Sequence, residues 1–305
     1  MKIHTVMTLL LSALFTAAGA HAAPMQVFVS IAPQKWLVDR VGGELVDTHI
    51  LLDKGQDPHL YQPTPEKLTA LFRSRLYLIA GMPFEQEIAR KIASDTGVRI
   101  IDVTEGIRKV PMIEHDGHND PDKNEHDQHE EHQHEDPEDQ HDHLDPHVWL
   151  APLNLRQMAK NTAAALADAD PENGAVYRQN LQTVTEQLTR LHKEISKQLA
   201  PFRGAAFFVF HPAFGYFAHA YGLHQEAVET EGKAPSAKQL YALVRQARKK
   251  KVKVLFVQPQ FDRKNAHTVA QAIHGTLVEL DPLAEDVEQN LRLMADRISA
   301  ALTPQ

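Results

Sequence analysis

The chain has 305 residues, of which 43% are hydrophobic and 24% charged, an ordinary globular balance with enough length for two domains. It has no cysteine, which excludes disulfides, thiolate metal sites and a cysteine nucleophile. The formal net charge is −8 and no basic cluster with interleaved aromatic residues occurs, so we expect no nucleic-acid partner.

The first residues have the pattern of a secretory signal peptide. Lys2 provides a short basic start, an apolar stretch runs from Val6 to Ala18, and small residues lead to a predicted cleavage site after Ala22. The apolar stretch is shorter than the roughly 20 residues that span a bilayer. We therefore expect residues 1–22 to be removed and the mature protein to be periplasmic.

Four short β-rich runs, separated by helical patterns, follow the signal peptide. They cover residues 25–31, 46–52, 75–81 and 98–104. Strands spaced in this way, with helices between them, predict a parallel α/β sheet. We assign this sheet to an N-terminal lobe of residues 23–169.

A histidine-rich and acidic segment interrupts the N-terminal lobe at about residues 113–144. Fourteen Asp or Glu residues and a single lysine lie between residues 114 and 145. This composition, with few apolar residues, predicts a disordered loop. We expect its histidines to form weak, accessory sites that scavenge or sense a metal ion: His115, His118, His126, His129, His132, His134, His141 and His143. The alternative is a solvated insertion without a function.

A long helix is predicted between the two halves of the chain. Asp170 is a suitable N-cap, Pro171 suits the first turn, and no further proline occurs until Pro201. We assign residues 170–200 to this linking helix. The alternation of strands and helices then resumes in a C-terminal lobe, residues 201–305, with predicted strands at 205–212, 224–230, 252–259 and 275–281.

Four potential metal ligands stand at or after predicted strand ends. Ligands of open α/β sheets collect at the carboxyl edges of the strands. His59 and His147 come from the first lobe, and His211 and Asp281 come from the second. The four side chains would together bind an ion in a cleft between the lobes. The alternative for His211 is a hydrogen-bonded core histidine, which is the more common fate of a lone histidine after an apolar run.

The tripeptide Asp-Pro-His occurs twice, at residues 57–59 and 145–147. Proline fixes φ and stiffens the backbone beside each imidazole. We expect Asp57 and Asp145 to orient a ring nitrogen of the neighbouring histidine, as carboxylates commonly do around metal ligands, although aspartate is also a common turn residue. Three imidazoles and one carboxylate favour zinc, since a manganese site is expected to be richer in oxygen.

These motifs, taken in chain order, resemble a known family. The chain contains DPHLYQPTP, a histidine-rich insertion that runs into DPHVWLAP, the helix start DPENGAVY, and then HPAFGYFAHAYGL, PSAKQL and LDPLAED. The same order is found in the periplasmic zinc-binding components of bacterial ABC importers, the ZnuA-like branch of the cluster A-I (family 9) solute-binding proteins. The resemblance covers essentially the whole mature chain.

The resemblance implies a fold and a function. The fold is two (β/α)4 lobes joined by a long rigid helix, with the metal site in the interlobe cleft. Zinc is the transported ligand, bound by His59, His147 and His211, with Asp281 or water in the fourth position. The partner is an inner-membrane ABC permease, and we expect a monomer without enzymatic activity. Manganese-binding relatives usually have glutamate at the position of His211.

Some positions depart from the family pattern, which leaves the subfamily and the polar surroundings of the cleft open. They stand where relatives often have an acidic residue: Gln62, Ala151, Ala234 and Gln258.

Other functions are consistent with parts of the sequence. A zinc hydrolase would use three histidines and an open coordination position, but the HExxH and GxSxG motifs are absent from the sequence. A periplasmic zinc buffer or metallochaperone would rely on the histidine-rich loop, with the lobes as a scaffold. A manganese or iron carrier of the same fold would differ in metal choice alone.

Overall fold

The computed structural model describes residues 23–92, 97–112, 144–229, 237–250, 252–261 and 263–303. The predicted signal peptide and the eight accessory histidines of the predicted loop lie outside these residues. Leu144, just after that segment, forms an antiparallel bridge with Pro111. Among the described helices, none combines the length and the apolar character that crossing a membrane requires.

The N-terminal lobe is built on a four-stranded parallel sheet. Its strands are β1 (Met25–Val29), β2 (Val46–Ile50), β3 (Leu76–Ile79) and β4 (Arg99–Asp102). They lie in the order β2-β1-β3-β4. The helices between them are α1 (Ala32–Gly42), α2 (Pro65–Leu71) and α3 (Pro83–Ile92).

The C-terminal lobe repeats this topology. Its strands are β5 (Ala206–Val209), β6 (His224–Ala227), β7 (Val254–Val257) and β8 (Thr276–Glu279). They lie in the order β6-β5-β7-β8, again all parallel. The predicted fold class, two α/β lobes with four parallel strands each, is confirmed.

In the C-terminal lobe helices again alternate with strands, and a last helix follows the final strand. Helix α4 (Pro152–Ala169) ends the N-terminal lobe, and α5 (Gly174–Leu199) is the linking helix. The C-terminal lobe contains α6 (Gly215–Tyr221), α7 (Ala237–Lys249), α8 (Arg263–Ala272) and α9 (Val287–Leu302). Three helices of the molecule, α2, α3 and α4, begin at a proline, whose fixed φ and missing N–H suit the first turn.

All eight predicted strands are present, but each ends two or three residues before its predicted end. The residues beyond the strand ends are still apolar and buried, as Ile31, Leu51 and Phe210 illustrate. Burial selects the same residue types whether or not the backbone pairs with a neighbour, so composition overestimates strand length. The extra residues form the loops at the carboxyl edges of both sheets, where the candidate ligands lie.

The linking helix begins later than predicted. Pro171–Asn173 form a 3-10 turn, and α5 starts at Gly174. The carboxylate of Asp170 accepts hydrogen bonds from the Asn173 side chain at 2.8 Å and the Tyr177 hydroxyl at 2.6 Å, so it stabilises this turn instead of capping the helix. The 26 residues of α5 extend over about 39 Å.

Helix α5 is bonded to both lobes. Near its start, Asn180 Nδ2 donates to the carbonyl oxygen of Val41, at the end of α1, at 3.0 Å. Near its end, Gln198 Nε2 donates to Asp296 Oδ1 of α9 at 2.8 Å. Helix α5 packs against α1 and α4, which precede it in the chain, and against α9 of the C-terminal lobe.

One hydrophobic cluster runs through both lobes. It contains Val27 and Leu78 of the first sheet, Leu188 of α5, and Val209 and Phe256 of the second sheet, each 2% exposed or less. A smaller cluster lies within the C-terminal lobe. Close-packed interiors resist shear and separation, so this continuous core fixes the two carboxyl edges relative to each other.

Candidate metal site

The structure brings three of the four predicted ligands together. His59 lies in the loop after β2, His147 precedes a 3-10 turn at Val148–Leu150, and His211 follows β5. One ring nitrogen from each lies within 4.8 Å of the other two. The first two histidines belong to the N-terminal lobe and the third to the C-terminal lobe, so the group spans the cleft.

The spacing of the imidazoles suits a tetrahedral ion. His59 Nε2 and His211 Nε2 are 3.2 Å apart. Two nitrogens that each lie about 2.0–2.1 Å from a tetrahedral zinc ion are separated by about 3.3–3.4 Å. The His147 and His211 ring centroids are 5.6 Å apart at an interplanar angle of 73°, so the rings approach the shared space from different directions.

Asp145 holds His147, as the Asp-Pro-His motif predicted. Its Oδ1 atom lies 2.8 Å from His147 Nδ1 and accepts the His147 backbone N–H at 2.9 Å. Both side chains are buried. Because an ionised carboxylate only accepts hydrogen bonds, Nδ1 carries the proton and the Nε2 lone pair is free for a metal.

The same prediction is wrong for Asp57. Its Oδ1 atom accepts the backbone N–H of His59 at 2.8 Å and therefore shapes the loop, whereas the His59 ring contacts His211. In both Asp-Pro-His motifs the aspartate accepts the backbone N–H of the histidine, but Asp145 also bonds the imidazole ring, whereas Asp57 does not.

The partners of His211 were missed by the sequence analysis. Glu229 Oε2 lies 3.1 Å from His211 Nδ1. Gln258 Oε1 accepts the His211 backbone N–H at 3.3 Å, and Gln258 Nε2 donates to the His211 carbonyl at 2.7 Å. Glutamine serves here because an ionised acid could not donate to that carbonyl. A polar residue near the end of each neighbouring strand was the available signal.

Burial favours the neutral form of the His59 and His211 imidazoles. It lowers the pKa of His59 to about 3, and charge repulsion from His211 and His147 adds to this effect. Burial also lowers the pKa of His211, an effect that the hydrogen bond from His211 Nδ1 to Glu229 opposes. Metal ligands must be unprotonated, so these rings are in the binding-competent form at neutral pH.

Aromatic side chains line the site. Phe261 stacks on His211 with ring centroids 4.6 Å apart and an interplanar angle of 23°. Trp149 is buried beside His147, and its Nε1 donates to the carbonyl oxygen of Pro282 at 2.7 Å. This last bond joins the two lobes directly next to the imidazoles.

Asp281 follows β8 as predicted but is not part of the three-imidazole group. Its Oδ1 atom accepts hydrogen bonds from Gln260 Nε2 at 2.8 Å and from the Leu283 backbone N–H at 2.9 Å. Its coordination of a metal stays a prediction.

Comparison with known proteins gives the family. A family model described as "Zinc-uptake complex component A periplasmic" (ZnuA) matches residues 27–301, which include both lobes and the three histidines. The chain belongs to the ZnuA family. The resemblance inferred from the motifs is therefore confirmed, and the chain is a ZnuA-like metal-binding, substrate-binding protein.

The relatives of this chain include proteins named for zinc and proteins named for manganese. The chain is 30% identical over 311 residues to the high-affinity zinc uptake system protein ZnuA of Haemophilus ducreyi, with 98% of each chain covered. It is 28% identical over 291 residues to the manganese ABC transporter substrate-binding lipoprotein PsaA of Streptococcus mitis, with 88% of this chain and 86% of the relative covered.

A crystal structure of a zinc-bound ZnuA deletion mutant matches the fold with a TM-score of 0.80 and 32% identity. The match covers 92% of this chain and 99% of that one.

Proposed function

We propose that this chain captures Zn(II) in the periplasm and delivers it to an inner-membrane ABC permease, without catalysing a reaction. Zn(II) is its transported ligand. His59, His147 and His211 bind the ion through their Nε2 atoms, and Asp281 or a water molecule completes the shell. Residues 1–22 act as the cleaved signal peptide that directs export.

The observation that carries this proposal is the meeting of three imidazoles from both lobes, two of them with Nε2 atoms 3.2 Å apart. An all-nitrogen set of three suits zinc better than manganese, which prefers oxygen ligands. The zinc-bound relative of the same fold supports this choice.

The histidine-rich segment serves as an accessory element in this proposal. Its eight histidines, His115 to His143, would bind further zinc ions more weakly and raise the local zinc concentration near the cleft. These residues lie outside the described part of the chain, so this role rests on their composition.

Calorimetric titration of the metal-free mature protein with zinc and with manganese tests the proposal. We expect one tight zinc site that survives deletion of residues 114–143, weaker sites that the deletion removes, and weaker binding of manganese. His147→Ala in the deleted background should weaken zinc binding by more than about 100-fold, beyond the 10–100-fold typical of substitutions around a metal ligand.

Other outcomes would point to the alternative functions. Loss of tight zinc binding on deletion of residues 114–143 would favour a zinc buffer in which the lobes are a scaffold. Tighter manganese than zinc binding would favour a manganese carrier, as the PsaA relative suggests. Delivery is tested in cells that lack this chain: zinc uptake at low zinc should be restored by the wild type and not by His147→Ala.

A further inference from the structure

We propose that Glu229 is a positioning residue of the metal site, which fixes the His211 ring so that Nε2 faces the metal. This inference rests on the proposed zinc site and extends it beyond the ligands. Glu229 Oε2 lies 3.1 Å from His211 Nδ1, and both side chains are buried, at 3% and 1% exposed.

The strand register explains why these two residues meet. Val209 of β5 is opposite Ala227 of β6. Because the two strands are parallel, two residues further along each segment His211 lies beside Glu229. The Glu229 backbone N–H donates to the carbonyl oxygen of Phe210 at 2.9 Å, which extends the pairing past the strand ends. The position of the carboxylate is therefore set by the sheet, and a sheet places a side chain more accurately than a loop.

On the other side of β5, the register with β7 pairs Val209 with Phe256 and so places Gln258 beside His211. Gln258 binds the backbone of His211 through both its oxygen and its nitrogen. The main chain of His211 is thus held from one neighbouring strand and its ring from the other.

The hydrogen bond that Glu229 accepts from the ring selects one tautomer of His211. A carboxylate only accepts, so Nδ1 must carry the proton and Nε2 must present its lone pair. That Nε2 atom is the one that lies 3.2 Å from His59 Nε2. Asp145 has the same relation to His147, so each lobe contributes one imidazole oriented by one buried carboxylate.

The burial of Glu229 also favours a metal-bound state. A buried carboxylate is costly unless a charged or strongly donating group compensates it. An imidazole that binds a cation through Nε2 becomes a stronger donor at Nδ1, so the ion strengthens this hydrogen bond. A role limited to the folding of the lobe would require no such change on metal binding.

Substitutions at Glu229 separate orientation from folding. The proteins to compare are the wild type, Glu229→Ala, Glu229→Gln and the matched control Glu226→Gln, all as metal-free mature chains. Glu226 lies in β6, three residues before Glu229, and its carboxylate pairs with Lys250 at 2.6 Å. The measurements are zinc affinity by competition with a chelator, the visible absorption spectrum of the Co(II) complex, and thermal unfolding of the metal-free protein.

We expect Glu229→Ala to weaken zinc binding about 10–100-fold and to change the Co(II) spectrum. Glu229→Gln can still accept the Nδ1 hydrogen, so its zinc affinity should fall less. Glu226→Gln should have the zinc affinity and the Co(II) spectrum of the wild type. Wild-type affinity and spectrum in a folded Glu229→Ala protein would overturn the proposal. So would equal losses in both Glu229 variants, because the charge and not the hydrogen bond would then be the cause.

If Glu229→Ala does not fold, Glu229→Leu decides, because leucine fills much of the same volume but has no hydrogen-bond acceptor. Weaker zinc binding with a shifted Co(II) spectrum supports the proposal, and wild-type affinity with an unchanged spectrum overturns it. Failure of the wild type itself to bind zinc would reject the proposed function, which is a different outcome from a failure at Glu229.

Discussion

His59 is held differently from the other two histidines of the site. Asp57 bonds its backbone, and among the described residues no carboxylate bonds its ring. It is also only half-buried, whereas His147 and His211 are buried. The buried pair is oriented before a metal arrives, and His59 completes the site from the more accessible side.

The lowered pKa values of this site predict its response to acid. Protons compete with a metal only below the pKa of a ligand, and burial lowers the pKa of His59 to about 3 and that of His211 below its usual value. Three histidines with the ordinary pKa of about 6.5 would together lose roughly 600-fold in affinity between pH 7 and pH 5.5.

We therefore expect the cleft to lose less than about 100-fold in zinc affinity between pH 7 and pH 5.5. The measurement is a competition titration at both pH values on the protein without residues 114–143, which removes the loop histidines from the result. A loss approaching roughly 600-fold would show that the imidazoles titrate as if they were exposed.

At the scale of elements, a close contact between α6 and Asp145 supports the site. A Cβ atom on Gly215, the first residue of α6, would lie 2.7 Å from Asp145 Oδ2. That distance is shorter than any real contact, and Asp145 is buried with little room to move. Gly215→Ala should therefore displace the carboxylate that holds His147.

We expect Gly215→Ala to weaken zinc binding about 10–100-fold, the range for disturbed partners of metal ligands. The control is Gly97→Ala, because a Cβ atom there meets nothing within 4 Å. Zinc affinity of both variants, with circular dichroism as the test of folding, is the measurement. Unchanged affinity in a folded Gly215→Ala protein would contradict a role for the Asp145 carboxylate in binding.

Local sequence signals predict the strands and the histidines of the site, but not the side chains that hold His211. The strands, and histidines that follow them, have local signals in apolar runs and in Asp-Pro-His. Glu229 and Gln258 are marked only as polar residues near strand ends, which does not show what they contact, because they meet His211 through the pairing of β5 with β6 and β7. Their distances along the chain from His211 are 18 and 47 residues, so only strand order and register place them there.

The whole molecule behaves as one packing unit in spite of its two sheets. The main hydrophobic cluster includes residues of both sheets and of α5, and Trp149 donates to Pro282 across the lobes. The sequence predicted two lobes from the two sets of strands. It could not predict a shared core, because an amphipathic pattern shows which face is buried but not what buries it.

A shared core predicts that the lobes unfold together. Leu188 lies in the middle of α5 and is 1% exposed, so Leu188→Ala leaves a cavity that costs about 2–5 kcal/mol. Hydrogen exchange should then accelerate in peptides that cover β1 and in peptides that cover β5, by similar factors. Calorimetric unfolding of the metal-free variant should remain a single transition at a lower temperature.

Val176→Ala is the control, since Val176 lies on the same helix and is 42% exposed, where substitutions change stability by about 0.5 kcal/mol or less. Two calorimetric transitions, or faster exchange in only one lobe, would mean that the lobes unfold separately and that the cleft is held by the linking helix alone. A single transition would mean that opening the cleft widely must break core contacts, so zinc would leave through small movements at the exposed side of His59.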